Sequence, residues 1–203
     1  MTTQPNATTG NALLDAALDY AARGWLVFPC HTPTSDGCSC RRDCGRIGKH
    51  PRTQNGLKDA TTDEATIRRW WKMWPHANIG IATGAISDLV VLDEDTYKGG
   101  DSSRITLEQS YHPLPETVQQ LTGGGGVQYF FRHPGTLVKN GIETLGAGLD
   151  SGVGPPCGQG GAATGDLWAG RLLGCGVVHR IPSGLPSRGW LSLLPALQEI
   201  PLH

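Results

Sequence analysis

The segment Leu89-Val90-Val91-Leu92-Asp93-Glu94-Asp95 is an apolar run that ends in two carboxylates one residue apart. If the run is a β-strand, alternation puts Asp93 and Asp95 on one face and Glu94 on the other. Two hard oxygen ligands side by side can hold a divalent cation such as Mg²⁺ or Mn²⁺, which in turn binds the phosphates of a nucleotide. An acidic turn capping a core strand has the same D-x-D pattern, so the neighbouring segments must decide between the two.

A second cluster has different chemistry. Cys30, Cys38, Cys40 and Cys44, flanked by His31 and His50, fall in a stretch rich in Gly, Pro, Ser and Arg that is too poor in apolar residues to pack by itself. Short Cys/His spacings in such a loop point to a tetrahedral, structural Zn²⁺. Cys38, Cys40 and Cys44 are the expected ligands, with His50, Cys30 or His31 as the fourth. Free thiols in a loop are the alternative. Cys157 and Cys175 lack partners at useful spacing.

The elements that must position these groups read as α+β. Leu13, Leu14, Ala17, Leu18 and Ala21 recur at helical spacing, and Gly24 can end that helix in the left-handed conformation. A strand over Trp25 to Phe28 follows. Thr61 and Glu64 fit a capping box, with Ile67, Trp70, Trp71 and Trp74 as the apolar face of a helix that Pro75 stops. Strands are expected at 79–82, 89–92, 117–121 and 127–132, and a helix near 103–110.

The chain of 203 residues suits one core, or one core with a small appendage. Its formal net charge of −1 gives no global field for nucleic acid, yet six Lys or Arg (Arg41, Arg42, Arg46, Lys49, Arg52, Lys58) lie between positions 41 and 58 against one acid, Asp43. A basic loop beside an acidic metal site suits a polyanion; a solvated loop is the plainer reading. No apolar stretch reaches the roughly 20 residues of a membrane span, and the polar N-terminus lacks a signal-peptide core, so a cytoplasmic protein without a membrane partner is expected.

The order of landmarks is more specific than any one of them. It runs Ala17-Leu18-Asp19-Tyr20-Ala21-Ala22-Arg23-Gly24-Trp25, Gly48-Lys49-His50-Pro51, Lys58-Asp59-Ala60-Thr61-Thr62-Asp63, the Trp70-Trp71 pair, Asn78-Ile79-Gly80-Ile81-Ala82-Thr83-Gly84, the D-x-D, Thr122-Gly123-Gly124-Gly125-Gly126, Tyr129-Phe130-Phe131-Arg132-His133-Pro134 and Gly148-Leu149-Asp150. Over about residues 12 to 150 this resembles the N-terminal domain of the bifunctional DNA primase/polymerase (prim-pol) family, a branch of the archaeo-eukaryotic primase superfamily.

The resemblance implies a primase/polymerase-type core with a sheet related to the RNA-recognition fold, a catalytic domain over 11–150 with the zinc loop at about 30–50, and 151–203 as the divergent remainder of that domain. It implies template-directed nucleotidyl transfer from (d)NTPs on single-stranded DNA in plasmid- or phage-type replication, with a separate helicase as a further partner. It adds Asp150, in the Leu149-Asp150 motif, to Asp93 and Asp95 as the carboxylate set of a Mg²⁺ or Mn²⁺ centre. Lys49, Arg52, Gly124, Gly125 and Gln128 are the expected nucleotide contacts. In prim-pols the last position carries a His that touches the incoming nucleotide; Gln hydrogen-bonds but cannot become a cation. The Gly-rich run is no P-loop, since no Lys-Ser or Lys-Thr follows it. Past Asp150 the run Ser151-Gly152-Val153-Gly154-Pro155-Pro156-Cys157-Gly158-Gln159-Gly160-Gly161 departs from the family pattern, through an altered reading frame between about 151 and 174 or through an insertion. The alternatives in function are a degenerate, non-catalytic nucleic-acid-binding module and a metal-dependent nuclease.

Overall fold

The computed structural model describes residues 9–152, apart from 46, 123, 124, 137, 139–142 and 144. The expectations for Gly124, Cys157, Cys175 and the segment from Val153 onward lie outside the described residues. The chain is a mixture of helix and sheet in two compact units, the first running to Ala82 and the second starting at Thr83.

The first unit begins with α1 (Ala12–Ala22), capped by Asn11, whose side chain accepts from the N–H groups of Leu13 and Leu14. Gly24 follows at φ +84°, the left-handed value its lack of Cβ allows. Strand β1 (Val27–Cys30) pairs antiparallel with β4 (Asn78–Ile81), bringing Cys30 opposite Asn78. Between them lie a two-residue ladder of β2 (Pro33–Thr34) with β3 (Gly37–Cys38), and α2 (Glu64–Met73). Helix α2 buries Ile67 and Trp71 as its spacing predicts, but its cap differs from expectation. Asp63, not Thr61, accepts from Thr66 N at 2.8 Å, while the Thr61 hydroxyl accepts from Asp63 N. A carboxylate at this position also meets the positive end of the helix dipole.

The second unit is a four-stranded antiparallel sheet in the order β6-β7-β5-β8, from β5 (Leu89–Glu94), β6 (Val118–Leu121), β7 (Val127–Arg132) and β8 (Leu149–Gly152). Helix α3 (Gly100–Ser110) lies on one face, where Leu107 joins Val90, Leu92, Phe131, Val138 and Leu149 in a buried cluster. Strand β5 reaches Glu94, two residues beyond the expected end, because β7 and β8 hydrogen-bond it from both sides.

Candidate functional site: a carboxylate row and a cysteine-histidine loop

The register of the second unit sets the first site. Asp93 is directly opposite Gln128 on β7 and directly opposite Asp150 on β8. Residues opposed in a ladder project to the same face. Gln128, Asp93 and Asp150 therefore form a row across three strands, which Gln120 extends on β6 through its pairing with Gln128. Gln128 is 3% and Asp150 2% exposed. The backbone N–H of Glu143 donates to Asp150 Oδ1 and orients that carboxylate. Among the described residues, Gln128 Oε1 has no hydrogen-bond partner.

Asp95 is placed differently. It follows the last residue of β5, and its carboxylate accepts from Lys98 Nζ at 3.1 Å, an ion pair that raises the lysine's pKa. Its backbone is clasped: the Asp95 N–H donates to Gly148 O at 2.7 Å, and its carbonyl accepts from Lys98 N and Gly100 N. A Cβ on Gly148 would lie 2.7 Å from the Asp95 carbonyl, so this approach needs glycine. The structure thus sets Asp93 opposite Asp150 and pairs the Asp95 carboxylate with Lys98. Lys98 gave no sequence signal beyond its i, i+3 spacing from Asp95.

Glu94 faces the other way, as alternation requires. It is 3% exposed, with Arg104 Nε at 2.7 Å and the Tyr129 hydroxyl at 3.2 Å, and Arg104 also pairs with Glu108 at 2.7 Å. Burial, then the Glu94 charge, pushes the Tyr129 phenol up from its usual pKa. This clamp between α3 and β5 fixes the strand end that carries Asp93.

The Gly-rich turn closes the β6–β7 hairpin at the same end of the sheet. Gly125 N donates to Thr122 O and Gly126 N to Thr122 Oγ1, so both amides serve the turn itself, and Gly125 O accepts from Thr96 Oγ1.

In the first unit, Cys38, Cys40, Cys44 and His50 bring one ligand atom each within 4.8 Å of one another. Cys40 Sγ lies 3.6 Å from Cys44 Sγ, and His50 Nε2 lies 3.3 Å from Cys38 Sγ and 3.6 Å from Cys44 Sγ. Tetrahedral zinc with ordinary bond lengths sets S···S at about 3.8 Å and S···N at about 3.5 Å. The Cys3His group fits and could hold zinc. Cys30, buried in β1, and His31 are not in the set. His31 instead stacks on His50 with ring centroids 4.4 Å apart and bonds Ser39 Oγ through Nδ1. Burial, then the Arg52 charge, lowers its pKa to about 4, so it is neutral at pH 7. Burial alone would raise the Cys38 thiol, but hydrogen bonds led by the Gly48 N–H bring it down to about 6. A thiolate is the form that binds metal.

The loop is fastened at its base. The buried Asn78 side chain donates to His31 O at 2.9 Å and Gly48 O at 3.0 Å, a role no local pattern signals. Arg52 donates to Cys30 O and Ser39 Oγ, and its guanidinium lies 5.8 Å from the Trp74 ring centroid. It is thus a brace of the loop, whereas Lys49 is exposed. A cleft of about 700 Å³ beside the cysteines is lined by Arg41 and Arg42, with Asp36, Asp43 and Ile47.

Residues 17–166 match the family model described as bifunctional DNA primase/polymerase, N-terminal. The chain belongs to this prim-pol family. Its match continues past Asp150 into the Gly-rich segment. No curated protein and no solved structure matches the chain significantly. Prim-pol membership implies DNA and nucleotides as substrates, and no described helix is long and apolar enough to cross a membrane.

Proposed function

We propose that this prim-pol domain is a metal-dependent nucleotidyltransferase that makes or extends primers on single-stranded DNA from (d)NTPs. The observation that carries the reading is the direct pairing of Asp93 with the buried Asp150 on adjacent strands. Two carboxylates this close repel unless a cation or a proton lies between them. Asp93, Asp95 and Asp150 would hold Mg²⁺ or Mn²⁺, which supplies charge neutralisation at the α-phosphate and a more acidic primer hydroxyl. The residues' own part is to place those oxygens: the Arg104–Glu94 clamp fixes β5 from the far face, and the Glu143 N–H orients Asp150.

The four-stranded antiparallel sheet with α3 on one face supports the RNA-recognition-related, primase-type core that the resemblance implies. We assign residues 11–150 to the catalytic domain, with the Cys3His loop as a structural zinc site, and 151–203 to the remainder of that domain. Lys49, Gly125 and Gln128 are the proposed nucleotide contacts. Arg52 would act through the loop it braces. Cytoplasmic plasmid or phage replication, with a separate helicase, is the proposed setting.

One observation favours a second reading. Gln128 stands where the family pattern has a His, which removes a charge-assisted contact to the nucleotide and favours a non-catalytic nucleic-acid-binding module. Primer extension on a single-stranded template with Mg²⁺ or Mn²⁺ separates the two. Incorporation that disappears in Asp93→Asn supports the enzyme; template binding without incorporation under either metal supports the module. Template loss without added dNTPs would mark a nuclease.

A further inference from the structure

We infer that the side-chain carbonyl of Gln128 is an oxygen ligand of the divalent cation held by Asp93 and Asp150. The inference rests on the metal-dependent reading above and changes its donor set.

Three observations carry it. The first is register: Asp93 is flanked on the same face by Gln128 and by Asp150, each directly opposite it. Directly opposed residues have Cβ atoms about 4.5–5.5 Å apart, so the three side chains span about 10 Å with the aspartate in the middle. Gln has one more methylene than Asp, and that length lets it lean over the central carboxylate. The second is the state of the amide. Gln128 is 3% exposed, and its Oε1 has no hydrogen-bond partner among the described residues. A buried acceptor without a donor carries a penalty that a bound cation would remove. The third is Asp95, whose carboxylate is ion-paired with Lys98 at 3.1 Å, so that its charge is already balanced by the protein.

The chemistry is consistent with this donor set. An amide carbonyl is a hard, neutral oxygen, the ligand type that Mg²⁺ and Mn²⁺ accept beside carboxylates. Two carboxylates and one amide leave a divalent ion with no net charge at the site, so phosphate oxygens can complete its shell without strong repulsion. An imidazole at position 128 would instead offer nitrogen, which Mn²⁺ accepts more readily than Mg²⁺.

The test uses the whole 203-residue chain, prepared with zinc in the buffer, and Mn²⁺ as the probe, with circular dichroism to check each variant's fold. Free Mn²⁺ is followed by electron paramagnetic resonance during titration. Gln128→Leu is expected to weaken Mn²⁺ binding roughly tenfold or more. Gln128→His is expected to retain binding, raise the ratio of Mn²⁺ to Mg²⁺ affinity, and show in pulsed spectra the ¹⁴N coupling of a directly bound imidazole. Absence of that coupling overturns the inference, whatever Gln128→Leu does, because a side chain acting through water would not produce it. Unchanged affinity in a folded Gln128→Leu, with binding lost in Asp93→Asn, overturns the inference and leaves the metal-dependent reading standing. Unchanged affinity in Asp93→Asn removes both.

Discussion

Arg104 reaches across from α3 to the buried carboxylate of Glu94 at 2.7 Å, and Glu94 is the immediate chain neighbour of Asp93 on the opposite face of the sheet. The two faces of β5 thus carry different chemistry: Glu94 is neutralised by Arg104 on one, and Asp93 stands between Gln128 and Asp150 on the other.

The clamp should be costly to break. Arg104→Ala leaves Glu94 as a buried, uncompensated charge, and we expect a loss of about 3 kcal/mol in unfolding free energy. Glu94→Gln added to Arg104→Ala should recover part of it, since a neutral amide needs no counter-charge. Urea denaturation of the single and double variants measures both effects, and a double variant no more stable than Arg104→Ala would count against the clamp.

The carboxylate pair should behave in the opposite way. Asp93→Asn and Asp150→Asn each relieve like-charge repulsion, so metal-free stability should hold or rise slightly. Mn²⁺ should raise the melting temperature of the parent protein by mass action and leave that of both variants unchanged. Melts in chelator and in excess Mn²⁺ check this, and variants that still respond to Mn²⁺ would exclude these residues as ligands.

The Cys3His loop should carry about one zinc per chain, lost in Cys38→Ser/Cys40→Ser. Trypsin should then cut after Arg41 or Arg42, where the loop depends on the metal for its shape. Elemental analysis and mapping of the fragments test the pair of statements together.

Acid should loosen the same loop. Cys38 is held at about 6, below the ordinary thiol value of 9.0, so its stabilising contribution is complete above pH 9 and fades as pH falls toward 6. His31 is held at about 4 against an ordinary 6.5, so between those values the unfolded chain takes up a proton that the folded chain refuses, and stability again falls with pH. Both act in one direction. Zinc release into a chromogenic chelator should rise steadily from pH 7 to pH 4, and a flat profile would contradict it.

Packing at the β1–β4 pair gives a sharper contrast. A Cβ on Gly80 would lie 2.5 Å from the Phe28 ring and 2.8 Å from Cys30 Sγ, whereas one on Gly45 meets nothing within 4 Å. Gly80→Ala should cost about 1–3 kcal/mol by overpacking and Gly45→Ala close to nothing, as denaturation midpoints will show.

Local pattern was enough for much of this architecture. The apolar spacing of Ile67 and Trp71 marked α2, and the run from Val127 to Arg132 marked β7 at its observed ends. Expectation failed where neighbours decide. The last two residues of β5 are polar, and only β7 and β8 on either side hold them in the sheet. Helix α3 starts at Gly100, before the expected Ser103, because the Gly100 N–H is held by the Asp95 carbonyl and the Gly99 N–H by that of Thr96. Within the strand, alternation put Glu94 on the face opposite Asp93. The register that seats Gln128 and Asp150 beside Asp93 and the bracing role of Arg52 depend on contacts that no single segment contains.

Asn78 ties the carbonyls of His31 and Gly48 to one strand without using a metal ligand. A zinc ion bound by the Cys3His group would therefore find the two ends of the loop already together, with much of the closure entropy met by a neutral amide in the sheet. Metal exchange would then be a local breathing event at the loop's tip, and a chain stripped of zinc would reload in place without refolding its first unit.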